Sequence, residues 1–513
     1  MNFKVNREII SSDEVVYDGF QEQAVEFDCI LPDYYPDIFK VLKCIVTPCI
    51  VSKNISDNKI NYDLLVKANI LYHSENSNAL NCIEQKMVFS KSVDVGTELS
   101  GAEVKLIPTV DYVNCRAVNQ RRLDIRGAIS VKITATGEKN EEVICDAFGM
   151  NIQLKKEDVS AVGKKIIKEK LISVSDDIDI GYSKPAIKSI IRSECIVSSV
   201  DKKVIANKVI ANGEIKVCFL YSSAEEGSDA LEKMEFTLPF SQIMDVDGID
   251  DSYECTLTAT VARCELSPKE NGDGEMKTVA VEADICLLCV AVRNTNVCIV
   301  TDAYSTTHPC ECIKSDCFVR MSPERICEIH IEKIPVKSED NKISCVYDAW
   351  SRIKNSSVIT DSENDTITLA VKLVNCVIAK NDEGKNIVLE NEHTLEHKFR
   401  CKDISEKTTV IPDVDILSVA YSLDDSGSIE LKCEVRVCVN IKRVCRLETV
   451  SDIKIDESNV KKQEDYALKM YFADEGETLW DIAKKYSTSI EAIMEENDCS
   501  AEHGKILLIP IVS

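Results

Sequence analysis

The stretch ILPDYYPDIFKVL, Ile30 to Leu42, sets a turn bracketed by Pro32 and Pro36 ahead of the apolar pair Val41-Leu42. It returns 149 residues later as Pro185-Ala186-Ile187 followed by Ile190-Ile191. The offset holds without a gap to Leu71-Tyr72 and Leu220-Tyr221, and Lys53/Lys202, Asn58/Asn207, Lys59/Lys208 and Lys67/Lys216 match on the way. Ten of the thirty-nine positions counted from Pro36 are identical, where chance at ordinary composition gives about two or three. Farther on, Lys86-Met87-Val88-Phe89 echoes Lys233-Met234-Glu235-Phe236 at an offset of 147, a slip assigned to the loop between, where insertions are tolerated. Self-similarity at a fixed offset is the mark of a duplicated domain. The Pro-Asp-Ile segment reads as a short helix or turn at a corner of the fold, with Val41 and Leu42 packing inward, rather than as a ligand site.

Around this repeat the texture is β. Val131-Lys132-Ile133-Thr134-Ala135, Ile215-Lys216-Val217-Cys218-Phe219 and Cys433-Glu434-Val435-Arg436-Val437-Cys438-Val439 alternate apolar and polar, which gives a strand one buried and one wet face. Turn clusters such as Glu270-Asn271-Gly272-Asp273-Gly274 and Asp424-Asp425-Ser426-Gly427 separate the runs. The expected fold is mainly β: tandem antiparallel β-sandwich-like domains at 26–155 and 175–315. A third β-region at 320–450 has the same texture but lacks the Pro-Asp-Ile start. Residues 1–25 read as an N-terminal extension and the charged segment 451–467 as a linker. A small α+β (βααβ) module closes the chain at 468–513.

The chain has 513 residues, a net charge of −26 and a pI near 4.8, with 44% hydrophobic and 29% charged residues. Such acidity disfavours nucleic acid and anionic lipid and suits a basic protein or an uncharged ligand. The N-terminal residues MNFKVNREIISSDEVVYDGF lack a signal-peptide core. The longest apolar runs are strand-sized, so neither export nor membrane insertion is expected. The 24 cysteines are scattered singly along β-like runs, including Cys44, Cys115, Cys195, Cys218, Cys376, Cys433 and Cys438, and read as small buried hydrophobes of a reducing compartment.

No phosphate-binding loop, nucleophile elbow or H-E-x-x-H helix is present, so no enzyme, catalytic residue or cofactor is expected. His308, Cys310, Cys312 and Cys317 are zinc-type ligands, but their spacing fits no common pair and no metal site is assigned. Cys286 and Cys289 form a C-x-x-C inside an apolar strand-like run. Three residues apart, they would point to opposite faces.

The C-terminal segment YFADEGETLWDIAKKYSTSIEAIMEENDCSAEHGKILLIP, Tyr471 to Pro510, predicts strand, helix, helix, strand. Thr478 is placed to cap the first helix with Asp481 as the return acceptor of a capping box. Leu479, Ala483 and Tyr486 form its inner face, flanked by Ile482. Ser489 or Thr488 caps the second helix, Ile490, Ile493 and Met494 face inward, and Asn497 closes it in a left-handed conformation. The outer strands would pair antiparallel. Trp480 is expected to be partly exposed beside the preceding loop.

These residues resemble a LysM domain through Tyr471-Phe472, the run Gly476 to Ala483, Tyr486, Ile493, Asn497 and Gly504-Lys505-Ile506-Leu507-Leu508-Ile509-Pro510. The resemblance implies a groove binding N-acetylglucosamine-containing glycan or a protein. Carried over by position, the groove comprises Asp474, Gly476, Glu477, Thr478, Leu479, Trp480, Asn497, Gly504, Lys505 and Ile506. Cys499 departs from the apolar residue usual after the Asn, and Glu477 from the commoner Asp. Together with the Leu-Pro-Asp-x-x-Pro-Asp-Ile motif and its echo, the chain is similar to the SPOCS–LysM family of endospore-forming Firmicutes. That resemblance implies a non-enzymatic scaffold in the mother-cell cytoplasm at the forespore surface. Its implied partners are the coat-basement ATPase and other spore-coat proteins, with peptidoglycan glycan as the alternative ligand.

Overall fold

The computed structural model describes residues 3–56, 58–74, 77–97, 99, 102–225, 230–337, 342–405, 408–462, 468–474, 476–497 and 506–510. Among these, one strand plan occurs three times in succession. In the first unit β1 (Lys4–Ile30) leads to β2 (Ile38–Ser56), β3 (Lys59–Ser74) and β4 (Ser77–Asp94), then β5 (Glu103–Asn119) and β6 (Arg122–Phe148). Sheet β2-β3-β4 packs on sheet β1-β6-β5. The second unit repeats this with β7 (Ile152–Asp179), β8 (Ile187–Ile205), β9 (Lys208–Ser223), β10 (Leu231–Asp245), β11 (Glu254–Lys269) and β12 (Thr278–Ser305).

The third unit follows the same order with its two long strands broken in the middle. β13 (Cys310–Arg320) continues as β14 (Glu324–Val336), and β19 (Ile429–Lys442) continues as β20 (Val444–Ile455). Between them come β15 (Ile343–Asp361), β16 (Thr366–Asn381), β17 (Asn386–Arg400) and β18 (Thr409–Leu423). Register makes the correspondence specific. The second strand of each sandwich bulges twice at its start, between Ile38/Lys40 and Val41/Lys43, Ile187/Ser189 and Ile190/Arg192, and Ile343/Cys345 and Val346/Asp348. A bulge adds one residue to one strand and bends it, so matched bulges mean matched backbone shape.

Sequence alternation builds each core. Along β3, Ile60, Tyr62, Leu64, Val66, Ala68 and Ile70 are buried at every second position, as the two-residue side-chain period demands. The identical Asn58 and Asn207 stand in the β2–β3 and β8–β9 hairpin turns with φ 61° and 60°, a left-handed conformation that Asn tolerates better than most residues. The segment before Ile38 is a turn rather than a helix. Arg121 staples it by donating to the carbonyls of Leu31, Pro32 and Tyr35. Val41 packs on its own sandwich core, whereas Leu42 lies in a cluster shared by all three units.

The units close into a ring. β4 meets β8, β10 meets β15 and β17 meets β2. Leu71, Leu220 and Ile378 occupy one register position in the three units and pack together in that shared cluster. The same register corrects the echo of Lys86 in Lys233. Leu71 opposes Cys82 and Leu220 opposes Lys233, so Lys233 corresponds to Cys82 and the four-residue match is coincidental.

At the other end the long strands leave the sandwiches as two-stranded ribbons. β1 and β6 pair from Ile30↔Arg122 out to Lys4↔Phe148, and β7 with β12 from Asp179↔Thr278 to Ile152↔Ser305. The third ribbon is β13 with β20. The three ribbons pack through Ile10, Val143, Ala161, Ile299 and Val319. Asp13 ties them electrostatically, paired with Arg320 of β13 and with Lys165 of β7 at 3.8 Å. Several expected boundaries shift as a result. Residues 4–25 are strand, not extension; 156–174 and 310–319 are ribbon; and 451–455 extend β20 rather than a linker. Ribbon strands alternate weakly because solvent reaches both faces over part of their length, so hydrophobic periodicity misses them.

Candidate functional site: the docked C-terminal module

The module consists of β21 (Leu468–Phe472), α1 (Leu479–Tyr486), α2 (Ile490–Glu496) and β22 (Ile506–Pro510), with β21 and β22 antiparallel. Thr478 caps α1 and its backbone N–H donates to Asp481 Oδ2 at 3.0 Å, completing the expected capping box. Ser489, not Thr488, caps α2. Trp480, Ile482, Ala483 and Ile493 are buried; Leu479 and Tyr486 are half-buried. Met494 is exposed, contrary to its expected inward position.

Asn497 does not end α2 in the left-handed region, since its φ is −132°. Its side chain pairs instead with the last strand. Nδ2 donates to Leu508 O at 2.5 Å and Oδ1 accepts from Leu508 N at 2.6 Å. The left-handed terminus belongs to Ser487, after α1, with φ 52°.

The loop residues gather at one end of the module, where Phe472 opposes Ile506. Gly476 turns the chain with φ 88°, which a side chain would strain. Glu477 organises the loop: its Oε2 accepts from Tyr471 OH at 2.7 Å and from Asp474 N at 3.1 Å. These bonds hold its carboxyl below the usual range. Asp474, Glu477 and Thr478 lie in this loop and Leu479 opens α1, while Ile506 starts the strand across from Phe472. Gly504 and Lys505, and with them Cys499, lie outside the described residues.

Trp480 departs most from expectation. It is only 7% exposed, because the module sits on the end of the second ribbon. Its indole N–H donates to Asp302 Oδ2 at 2.8 Å, and its ring meets Tyr304 edge-on with centroids 4.9 Å apart. Lys484 Nζ reaches Asp302 at 2.7 Å, and Tyr304 OH donates to Thr488 O at 2.7 Å. Lys461, just past the third unit, donates to Ser305 O at 2.7 Å and Ser487 Oγ at 3.0 Å. Burial alone would push the Asp302 carboxyl up, but the bonds from Lys484 and Trp480 hold it below its ordinary value. Tyr304, conversely, is pushed up by burial. A buried indole ordinarily finds a partner for its N–H, and here the partner is in the same chain. Asp302 and Tyr304 carried no local sequence signal, because they end an ordinary strand.

With Trp480 turned inward, the module's free apolar surface is its sheet. Leu468, Met470 and Phe472 share the face opposite the helices, and Ile506 opposes Phe472 on it. Met470 is 73% and Phe472 60% exposed.

Of the cysteine candidates, Cys310 and Cys312 stay side by side while Cys317 lies in a different cluster. Cys310 and Cys312 pack between ribbons, Cys312 Sγ donates to Ala303 O at 2.9 Å, and Cys317 is buried in the ribbon core. His308 bonds Thr307 at 2.8 Å. Cys289 is buried beside Cys255, 3.4 Å between sulfurs, while Cys286 faces Glu169. Cys438, expected to be a free thiol, is bonded to its cross-strand register partner Cys327.

Comparison with known families agrees with this architecture. Residues 37–118 and 186–269 match the family model for the SipL SPOCS domain, and residues 474–510 match that for the LysM domain. The chain therefore carries two SPOCS domains and a C-terminal LysM domain, the arrangement of a SipL-like SPOCS/LysM protein. These matches support a sporulation-associated protein with a domain of the peptidoglycan-binding type, and the matched SPOCS and LysM domains are binding domains. No curated protein and no solved structure matches it. Among the described residues, no helix is long and apolar enough to cross a membrane.

Proposed function

We propose that this chain is a non-enzymatic scaffold of spore-coat assembly. It works in the mother-cell cytoplasm and docks through its LysM domain onto the coat-basement ATPase at the forespore surface. The observation that supports this reading is the outward sheet face of Leu468, Met470, Phe472 and Ile506. A contiguous exposed apolar face suits a protein partner, and Trp480, the aromatic of the expected groove, is occupied within the chain. The third unit is a diverged copy of the SPOCS repeat, supported by its strand order and bulge register. The ring of three units then acts as a rigid spacer for other coat proteins.

Co-sedimentation of the full chain with the polymerised ATPase, and separately with peptidoglycan sacculi, tests the reading. Binding to the ATPase that Phe472→Asp weakens at least tenfold is expected, consistent with loss of an interface anchor worth about 2 kcal/mol or more. Retention on sacculi without ATPase binding would establish the LysM domain as a glycan reader and overturn the scaffold reading.

A further inference from the structure

Three of the six histidines of the chain stand together on the third unit, away from the LysM domain. His330 lies on β14, and His393 and His397 on β17, the edge strands of the two sheets of that sandwich. Glu328 and Glu332 flank His330 two residues away on either side, so all three share a strand face. His330 Nε2 is 2.8 Å from Glu332 Oε2, His393 Nε2 is 2.9 Å from Glu332 Oε1, and His397 Nε2 is 3.0 Å from Glu328 Oε2. His397 also packs edge-on against Phe399, which fixes its ring.

An ionised carboxylate can only accept hydrogen bonds, so each of these Nε2 atoms carries the proton. In a neutral ring protonated on Nε2, Nδ1 is a bare lone pair. His330 and His397 aim their Nδ1 atoms at each other across 3.3 Å. Two lone pairs at that distance require a positive charge between them, either an extra proton or a metal ion.

The geometry fits the metal ion. With Zn–N bonds of about 2.05 Å, a nitrogen separation of 3.3 Å corresponds to an N–Zn–N angle of about 107°, close to tetrahedral. An imidazole that binds metal through one nitrogen and donates its other N–H to a carboxylate is the usual outer-shell arrangement, and here both rings have it. No third protein donor converges on the gap among the described residues. We propose that β14 and β17 bind a divalent zinc-class cation between His330 Nδ1 and His397 Nδ1, with water completing the coordination. Glu328 and Glu332 position the rings, and the ion clips together the two sheet edges of the third unit. The first two units have no histidine on the corresponding outer strands β1, β4, β7 and β10, so the clip is specific to this one.

Cobalt(II), a spectroscopic substitute for zinc, tests the site in the full-length chain under reducing conditions. One equivalent should bind with visible ligand-field bands and without thiolate-to-cobalt charge transfer, and zinc should displace it. The double variant His330→Gln/His397→Gln should lose that equivalent, while His73→Gln should retain it. Glu332→Gln should weaken binding about 10–100-fold, and it serves as the decisive variant if the double variant proves misfolded by circular dichroism. Retention of the equivalent by a folded double variant, a thiolate charge-transfer band, or no cobalt binding by the folded wild type would overturn the proposal. The last outcome would assign the bridging charge to a proton.

Discussion

In the first two β-units, Tyr72 and Tyr221 send their hydroxyls to Pro36 O and Pro185 O at 3.0 and 3.1 Å. In the third unit the corresponding register position is Ala379, and no such bond exists. One position on the second strand is Lys43, Arg192 or Asp348 in the three units. Around the ring, Lys43 pairs with Glu390 at 2.5 Å, while Arg192 and Lys233 both converge on Asp348 at 2.7 and 3.0 Å. The third unit thus inverts a charge that the first two share. Bulges, strand order and alternating burial stay the same while side-chain chemistry changes. Strand register is set by which face is buried, so the plan tolerates exchange of everything that merely decorates it.

Asp348 provides the strongest way to break this comparison. It is 1% exposed and neutralises two cations, one of them the buried Arg192 stacked on Trp350. Asp348→Ala should cost about 3–5 kcal/mol, as expected when a buried partner is removed, read as a shift in the denaturant midpoint. An unchanged midpoint would show that the ring is not sealed there. The LysM contact comes next. Asp302→Ala removes the acceptor shared by Trp480 and Lys484 and should cost the docked state about 1.5–3 kcal/mol, seen as faster hydrogen exchange in α1 with the module still folded.

Acid should have the same effect. A carboxyl held below its ordinary 3.8 stabilises docking above that value, and the contribution disappears as pH falls through the lowered pKa. Acidification well below pH 3.8 should therefore loosen the docked module, and by more in the wild type than in Asp302→Ala. Tyr72→Phe and Tyr221→Phe should each cost about 1 kcal/mol; markedly unequal losses would weaken the equivalence of the two repeats. Glu390→Gln, at a half-exposed pair, should cost less than about 1 kcal/mol.

The LysM domain was almost fully legible because its signals are local. A cap with its return acid, two short amphipathic helices and two apolar strands all lie within forty residues. The repeat was legible where identical residues serve a backbone need, as Asn58 and Asn207 do. The misplaced Lys86/Lys233 echo shows the limit, since a four-residue match carries less weight than cross-strand register. Trp480 shows another limit. Its place at the start of α1 was readable, but its burial depends on Asp302 and Tyr304, far away along the chain.

The amino-acid sequence alone determined the β class, the duplication, and the identity and internal order of the terminal module. Each follows from alternation, capping or repetition over a few dozen residues, where covalent connection enforces the neighbours. Tertiary structure alone decided that residues 4–25 and 451–455 belong to ribbons, that three units close into a ring, and that the LysM domain turns its tryptophan onto the second ribbon. It also decided that His330 and His397 face each other. Those contacts join residues tens to hundreds of positions apart, and nothing in the local periodicity of either partner specifies the other.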